Sequence, residues 1–146
     1  MAMAERTANC AWDGDLPHGS GKVSGASGAL GELPVTWASR TERSDGKTSP
    51  EELIAAAHAS CYSMALSHGL GEAGTPPEHL DVSAKVTLDL VDGAPTVTNS
   101  ELTVSGRVPG IDQDKFEQAE FDAGRNCPVS RALAGIEITV NATLAT

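Results

Sequence analysis

Three stretches of strict two-residue alternation constrain this chain more than any other feature. Val82, Ala84, Val86, Leu88 and Leu90 alternate with Ser83, Lys85, Thr87 and Asp89. Leu102, Val104, Gly106 and Val108 alternate with Thr103, Ser105 and Arg107, and Ile136, Ile138, Val140, Ala142 and Leu144 alternate with Glu137, Thr139, Asn141 and Thr143. Period two sends every second side chain to one face, so each stretch reads as a strand with one buried side. Asp92-Gly93-Ala94-Pro95 turns the first strand into the second. Between the second and third, Asp112 caps a helix on which Phe116, Ala119 and Ala123 recur at helical spacing and Gly124 weakens the end. A helical turn over residues 128–134 follows, closed by Gly135.

Upstream, apolar runs at residues 8–12, 22–25 and 33–38 are separated by Asp13-Gly14-Asp15 and Gly19-Ser20-Gly21, which predicts a small antiparallel meander. Residues 41–49 (TERSDGKTS) form a polar loop. A long helix then starts with Ser49 as N-cap, Pro50 at the first helical position, and Glu51 and Glu52 at the positive end of the dipole. Glu52 stands three after Ser49, which makes a capping box possible. The helix runs to about Leu70, Gly71 or Gly74 ends it, and Pro76-Pro77 forbids continuation. Meander, helix, two strands, helix, strand: this order indicates an α+β fold with a mixed or antiparallel sheet, as a single domain over residues 1–146.

Charge narrows the function. A net charge of −10 argues against nucleic acid and anionic membrane surfaces as partners, since both need clustered Lys and Arg. The start, MAMAERTANCAW, places Glu5 and Arg6 where the apolar core of a signal peptide would begin, so a cytoplasmic location is expected. The uncharged stretch at residues 53–71 contains His58, Ser60, Ser63, Ser67 and His68, too polar to span a bilayer. Only 3% of residues are aromatic, so a core of small side chains buries little area and oligomerisation is expected to add to it.

Cys10, Cys61 and Cys127 are the three cysteines. An odd count without clip spacing suggests neither a disulfide framework nor zinc, which leaves reactive thiols or inert packing. On the long helix, Cys61 shares its predicted face with Ile54, Ala57, His58, Met64, Ala65 and His68. Leu66 and Leu70 make the opposite side apolar too, so the helix is expected to be buried nearly all round. No Lys or Arg lies between Thr48 and Ala84. A reactive Cys61 therefore needs a cation from far along the chain, or from His58. Cys127 precedes Pro128, which places it at a helix N-cap where free amides favour a thiolate, with Arg125 and Arg131 nearby. Cys10 has no activating context.

The run TSPEELIAAAHASCYSMAL at residues 48–66 resembles the first cysteine motif of the osmotically inducible protein C (OsmC/Ohr) family, and NCPVSRAL at residues 126–133 resembles its second. WDGD at 12–15, LGEAG at 70–74 and VPGID at 108–112 extend the resemblance over nearly the whole chain, in order. His58, and Arg40 shortly before the first motif, favour the OsmC branch over the organic hydroperoxide resistance branch. The resemblance implies a peroxidase with no metal, haem or flavin cofactor, built as an intertwined homodimer whose sheets enclose central helices and whose active sites lie between subunits. It also implies Cys61 as the peroxidatic thiol, Cys127 as the resolving thiol, Arg40 as the activating cation and Glu51 as the carboxylate that positions it. A dithiol, such as a lipoylated protein, would then reduce the Cys61–Cys127 disulfide.

One tension follows. Glu51 lies ten residues before Cys61, about 15 Å along a straight helix and about 80° round it. Either the chain bends there, or part of the Arg40–Glu51 pair comes from the second subunit. Other readings stay open. The same fold could hold an apolar ligand with the thiols as a redox sensor, the cysteines could merely be packed, or His58 and His68 could hold a metal. The apolar residues expected around Cys61, among them Ile54 and Met64, favour an organic hydroperoxide over hydrogen peroxide.

Overall fold

A computed structural model of the protein describes residues 1–145. The chain divides into two compact units, Met1–Leu53 and Ile54–Thr146.

The first unit carries the predicted meander. Strands β1 (Ala8–Asp13), β2 (Ser20–Gly25) and β3 (Leu33–Val35) pair antiparallel in that order. Gly21 is required where β2 meets both neighbours, because a Cβ there would lie 2.8 Å from the Trp12 ring and 3.0 Å from Val35. The apolar run at 33–38 does not stay extended. After Val35 the chain enters a five-residue helix, α1 (Trp37–Thr41), which the sequence reading missed. Its start is fixed by a reciprocal capping box between Thr36 and Ser39. The Ser39 hydroxyl also donates to the Thr48 carbonyl at 2.9 Å, and the Thr48 amide donates to the Pro34 carbonyl at 2.9 Å. The loop at 41–49 is thereby pinned at Thr48 through both its carbonyl and its amide.

Helix α2 (Pro50–Glu72) begins in the first unit and continues into the second. Its predicted cap holds: the Ser49 hydroxyl accepts from the Glu52 amide at 3.1 Å. Only half of the capping box forms, since the Glu52 carboxylate instead takes the Thr48 hydroxyl at 2.7 Å. At the far end Gly74 adopts φ +83°, and the Thr75 amide returns to the Leu70 carbonyl at 2.9 Å.

The second unit holds a mixed three-stranded sheet. Strands β4 (His79–Val91) and β5 (Ala94–Arg107) form an antiparallel hairpin through Asp92 and Gly93, both at positive φ as a tight two-residue turn demands. Strand β6 (Glu137–Leu144) pairs parallel to β5, so a crossover is needed. Helices α3 (Gln113–Asn126) and α4 (Pro128–Ala132) supply it. Asp112 caps α3 as expected, accepting from the Lys115 amide at 2.9 Å, and the helix runs through Gly124 to Asn126. The core joins Tyr62, Leu66 and Leu70 of α2 to Leu102 and Val104 of β5 and to Phe116 and Ala123 of α3. Phe116 lies so close over β5 that a Cβ at Gly106 would meet its ring at 2.7 Å.

Two expectations need correction. The alternation of β4 fails at its end, because a register irregularity between Thr87 and Leu88 breaks the two-residue phase and leaves Leu90 67% exposed. Nor is α2 buried all round within the chain. Tyr62, Leu66 and Leu70, with His58, form its buried face, whereas Ala57, Met64, Ser67 and His68 are exposed.

Candidate active site

Two groups of candidate residues form, one in each unit. In the first unit, the capped start of α1 places Arg40 one turn on. Its guanidinium forks onto Glu51: Nε donates to both carboxylate oxygens, at 3.0 and 3.1 Å, and Nη2 donates to Oε1 at 2.8 Å. The Glu51 side chain is 9% exposed and that of Arg40 30%. Such a planar, charge-assisted fork fixes direction as well as charge. The Arg40 guanidinium also lies over the Trp37 ring at 5.8 Å, within cation–π range. Held from two sides, this cation is preorganised. Arg43, by contrast, meets Asp45 only at 4.0 Å on exposed side chains.

The second unit holds both Cys61 and Cys127. Cys127 ends α3 and caps α4, with Pro128 at the first helical position as the sequence predicts. Its sulfur accepts from the Ser130 amide at 3.4 Å. Cys127 is fully buried, whereas Cys61 is half-buried. Burial alone would raise the Cys127 pKa. The Ser130 hydroxyl and amide, the Cys61 thiol and the Val129 amide outweigh burial and hold it below the usual thiol range. Burial pushes Cys61 the other way. The Val129 amide offsets part of that rise, while its hydrogen bond to the Cys127 sulfur and the charge there add to it. The two thiols are thus pushed in opposite directions, Cys127 down and Cys61 up.

His58 does not serve as the cation for Cys61. It points into the core, where Nδ1 meets the Ser100 hydroxyl at 2.7 Å and Nε2 the Ser130 hydroxyl at 2.8 Å. Burial lowers its pKa, which favours the neutral ring. Nor does it share a site with His68, which is exposed and lines a cavity of about 620 Å³ with Cys61, Met64, Asp122, Asn126 and Pro128. Tyr62, next to Cys61, donates its hydroxyl to the Glu120 carbonyl at 2.8 Å, and burial pushes its phenol pKa up. Cys10 is exposed on β1.

Sequence reasoning missed Ser100 and Ser130. A signal existed for both. Ser130 sits at the third position of the helix that Cys127 caps. Ser100 has the same parity as Leu102, Val104 and Gly106, so extending the β5 alternation back by two residues reaches it.

The family model described as OsmC-like protein matches residues 43–141, a span that includes Glu51, Cys61 and Cys127. This chain belongs to the OsmC family. Peroxiredoxin OsmC of Escherichia coli (strain K12) is 46% identical over 130 residues, covering 89% of this chain and 90% of that protein. Among solved structures, the organic hydroperoxide resistance protein OhrB of Bacillus subtilis aligns with a TM-score of 0.73 at 24% identity, over 95% of this chain and 98% of that one. The OsmC like protein from Mycoplasma pneumoniae reaches a TM-score of 0.77 at 13% identity, over 99% of this chain and all of that one. At these identities the two structures establish the shared OsmC fold alone. No helix among the described residues of this OsmC-family chain is long and apolar enough to cross a membrane.

Proposed function

We propose that Cys61 and Cys127 carry out the peroxide reduction of this OsmC-family thiol peroxidase, with Cys61 attacking the peroxide and Cys127 resolving the product. The carrying observation is a pair of thiols each of which shifts the other's ionisation, the outer one lining a cavity and the inner one wholly enclosed. Access favours Cys61 as the sulfur that meets substrate. Its missing positive charge is assigned to Arg40, held by Glu51. Helix α2 carries no break between Glu51 and Cys61, and ten residues span about 15 Å. We therefore assign the Arg40–Glu51 pair at each Cys61 to a second copy of the chain, packed as a homodimer on the exposed face of α2.

The reaction then balances as follows. Approach of the guanidinium draws the charge onto Cys61 as its proton passes to Cys127. The Cys61 thiolate attacks the terminal peroxide oxygen, and the O–O bond breaks. The departing alkoxide takes the Cys127 proton and leaves as an alcohol, and Cys61 is left as a sulfenic acid. Arg40 stabilises the charge on the departing oxygen. The Cys127 thiolate next attacks the Cys61 sulfur. The S–S bond forms, the S–O bond breaks, and hydroxide takes a proton from solvent to leave as water. An external dithiol, available in a reducing cytoplasm, restores both thiols by exchange. Met64 and Ala65 beside Cys61 favour an organic hydroperoxide over hydrogen peroxide.

Turnover of an alkyl hydroperoxide with a dithiol, followed in wild type, Cys61→Ser and Cys127→Ser, tests this assignment. Cys61→Ser is expected to fall to background, and Cys127→Ser to be oxidised once and stop. Sustained turnover by Cys61→Ser would refute it. The lowered pKa of Cys127, with its place at a helix cap, supports a second reading, in which Cys127 attacks and Cys61 resolves. That order predicts the two mutant outcomes exchanged.

A further inference from the structure

Arg125 and Arg131 are two guanidiniums that the mechanism above does not use. Each stands in the last turn of its helix, α3 and α4, where a cation commonly does no more than complement the dipole. Two observations separate this pair. Arg40, Arg43, Lys85 and Arg107 each meet a carboxylate, whereas neither Arg125 nor Arg131 makes a side-chain hydrogen bond or ion pair among the described residues. The two also line one polar opening of about 510 Å³ with Asp122 and Asn126, residues that help to wall the Cys61 cavity as well.

The opening is positive. Two guanidiniums stand against one carboxylate, and Asp122 already accepts from the Gln118 side-chain amide at 3.2 Å. All four lining residues are exposed. The chain as a whole carries a net charge of −10, so an acidic partner is repelled over most of the surface and favoured here. The reductant has to arrive on this side. Cys127 is enclosed, so a dithiol reaches a Cys61–Cys127 disulfide through the Cys61 cavity, beside the arginines. Neither arginine is among the groups that hold the Cys127 thiol down.

We propose that Arg125 and Arg131 dock an acidic peptide segment flanking the dithiol of the reductant, and so aim that dithiol at the Cys61 cavity. The inference rests on the reading in which Cys61 and Cys127 form a disulfide. Guanidinium forks suit the carboxylates of acidic side chains. With the segment docked, one reductant thiolate attacks the Cys61 sulfur, the Cys61–Cys127 bond breaks, and Cys127 leaves as a thiolate. The second reductant thiol, as its thiolate, attacks the mixed disulfide. The reductant closes its own disulfide and Cys61 leaves. The two protons of the dithiol end on Cys61 and Cys127, which are reduced as the dithiol is oxidised.

The test uses the full chain, oxidised beforehand with an alkyl hydroperoxide, and two synthetic peptides with the same Cys-Gly-Pro-Cys dithiol. One peptide is flanked by glutamates and the other by glutamines, and each rate is normalised to that peptide's reaction with a small neutral disulfide. In wild type the glutamate peptide should reduce the protein about tenfold faster at low salt, an advantage that shrinks as salt rises. Arg125→Gln combined with Arg131→Gln should erase the advantage, with the glutamine peptide and the peroxide step unchanged. Each single variant should remove part of it, and serves if the double variant fails to fold. Equal rates for the two peptides in wild type overturn the proposal. An advantage that survives in the double variant does so too, because it places the attraction elsewhere, as does equal slowing of both peptides, the mark of structural damage. The underlying reading is checked separately, by mass spectrometry of the protein after peroxide. Absence of a Cys61–Cys127 disulfide there removes that reading, whereas a disulfide that both peptides reduce equally sinks the docking site alone.

Discussion

The two units of this chain are chemically complementary. The first has charge without buried sulfur: its exposed sheet carries one solvent-facing cysteine, while α1 and the start of α2 fix a guanidinium between a carboxylate and an indole. The second holds both sulfurs of the proposed pair: burial pushes the Cys61 thiol up, the Ser130 amide helps hold the Cys127 thiol down, and His58 is enclosed, with burial favouring its neutral ring. Within the second unit the thiol held below its usual range is the one at the helix cap, and that sulfur is the inner one. The difference teaches that the preorganised guanidinium and the accessible thiol belong to different units. The proposed mechanism brings the Arg40 charge of one copy of the chain to the Cys61 sulfur of a second.

The comparison can be broken most severely at the sulfur. Cys61→Ser should abolish peroxide turnover, measured at steady state with a dithiol. Removing the charge comes next. Arg40→Ala should lower the rate constant for Cys61 oxidation about 10²-fold or more, the usual cost of deleting a donor to a developing oxyanion. Arg40→Lys should recover little of it, since an ammonium cannot make the fork seen on Glu51. Co-expression of Arg40→Ala and Cys61→Ser chains sharpens the split: the mixed product should regain activity that each variant lacks, and a mixture no better than its parts would place the charge within the same chain.

Smaller effects separate the units by stability. His58 has a depressed folded pKa, so the unfolded chain binds more protons beneath its ordinary value of 6.5. Unfolding free energy should therefore fall as pH drops below 6.5 and level off below the folded value. Denaturant midpoints across that range should show the loss in wild type and not in His58→Gln. Smallest of all, Tyr62→Phe removes the bond to the Glu120 carbonyl and should lower stability by about 1 kcal/mol, with Cys61 oxidation little changed.

Much of this arrangement was legible in the sequence. Pro128 fixes Cys127 at a cap, Ser49 fixes the start of α2, and parity fixes the buried faces of β5 and β6. The failures have physical causes. Five residues are too few for a helical period, so α1 looked like the end of a strand, although Thr36 and Ser39 stand at capping-box spacing. Helix α2 is apolar around much of its circumference. Its rotation was therefore ambiguous, and His58 was placed with Cys61 rather than with Tyr62, Leu66 and Leu70. The irregularity after Thr87 depends on pairing with β5, which no local pattern encodes. The partners of His58 lie 42 and 72 residues away, beyond reach of any spacing rule.

Trapping the first oxidised sulfur tests the central assignment most directly. Cys127→Ser protein, given one equivalent of an alkyl hydroperoxide and a sulfenic-acid-specific carbon nucleophile, should carry the adduct on Cys61 by peptide mass spectrometry. An unlabelled Cys61 there, together with an adduct on Cys127 in Cys61→Ser protein, would contradict it.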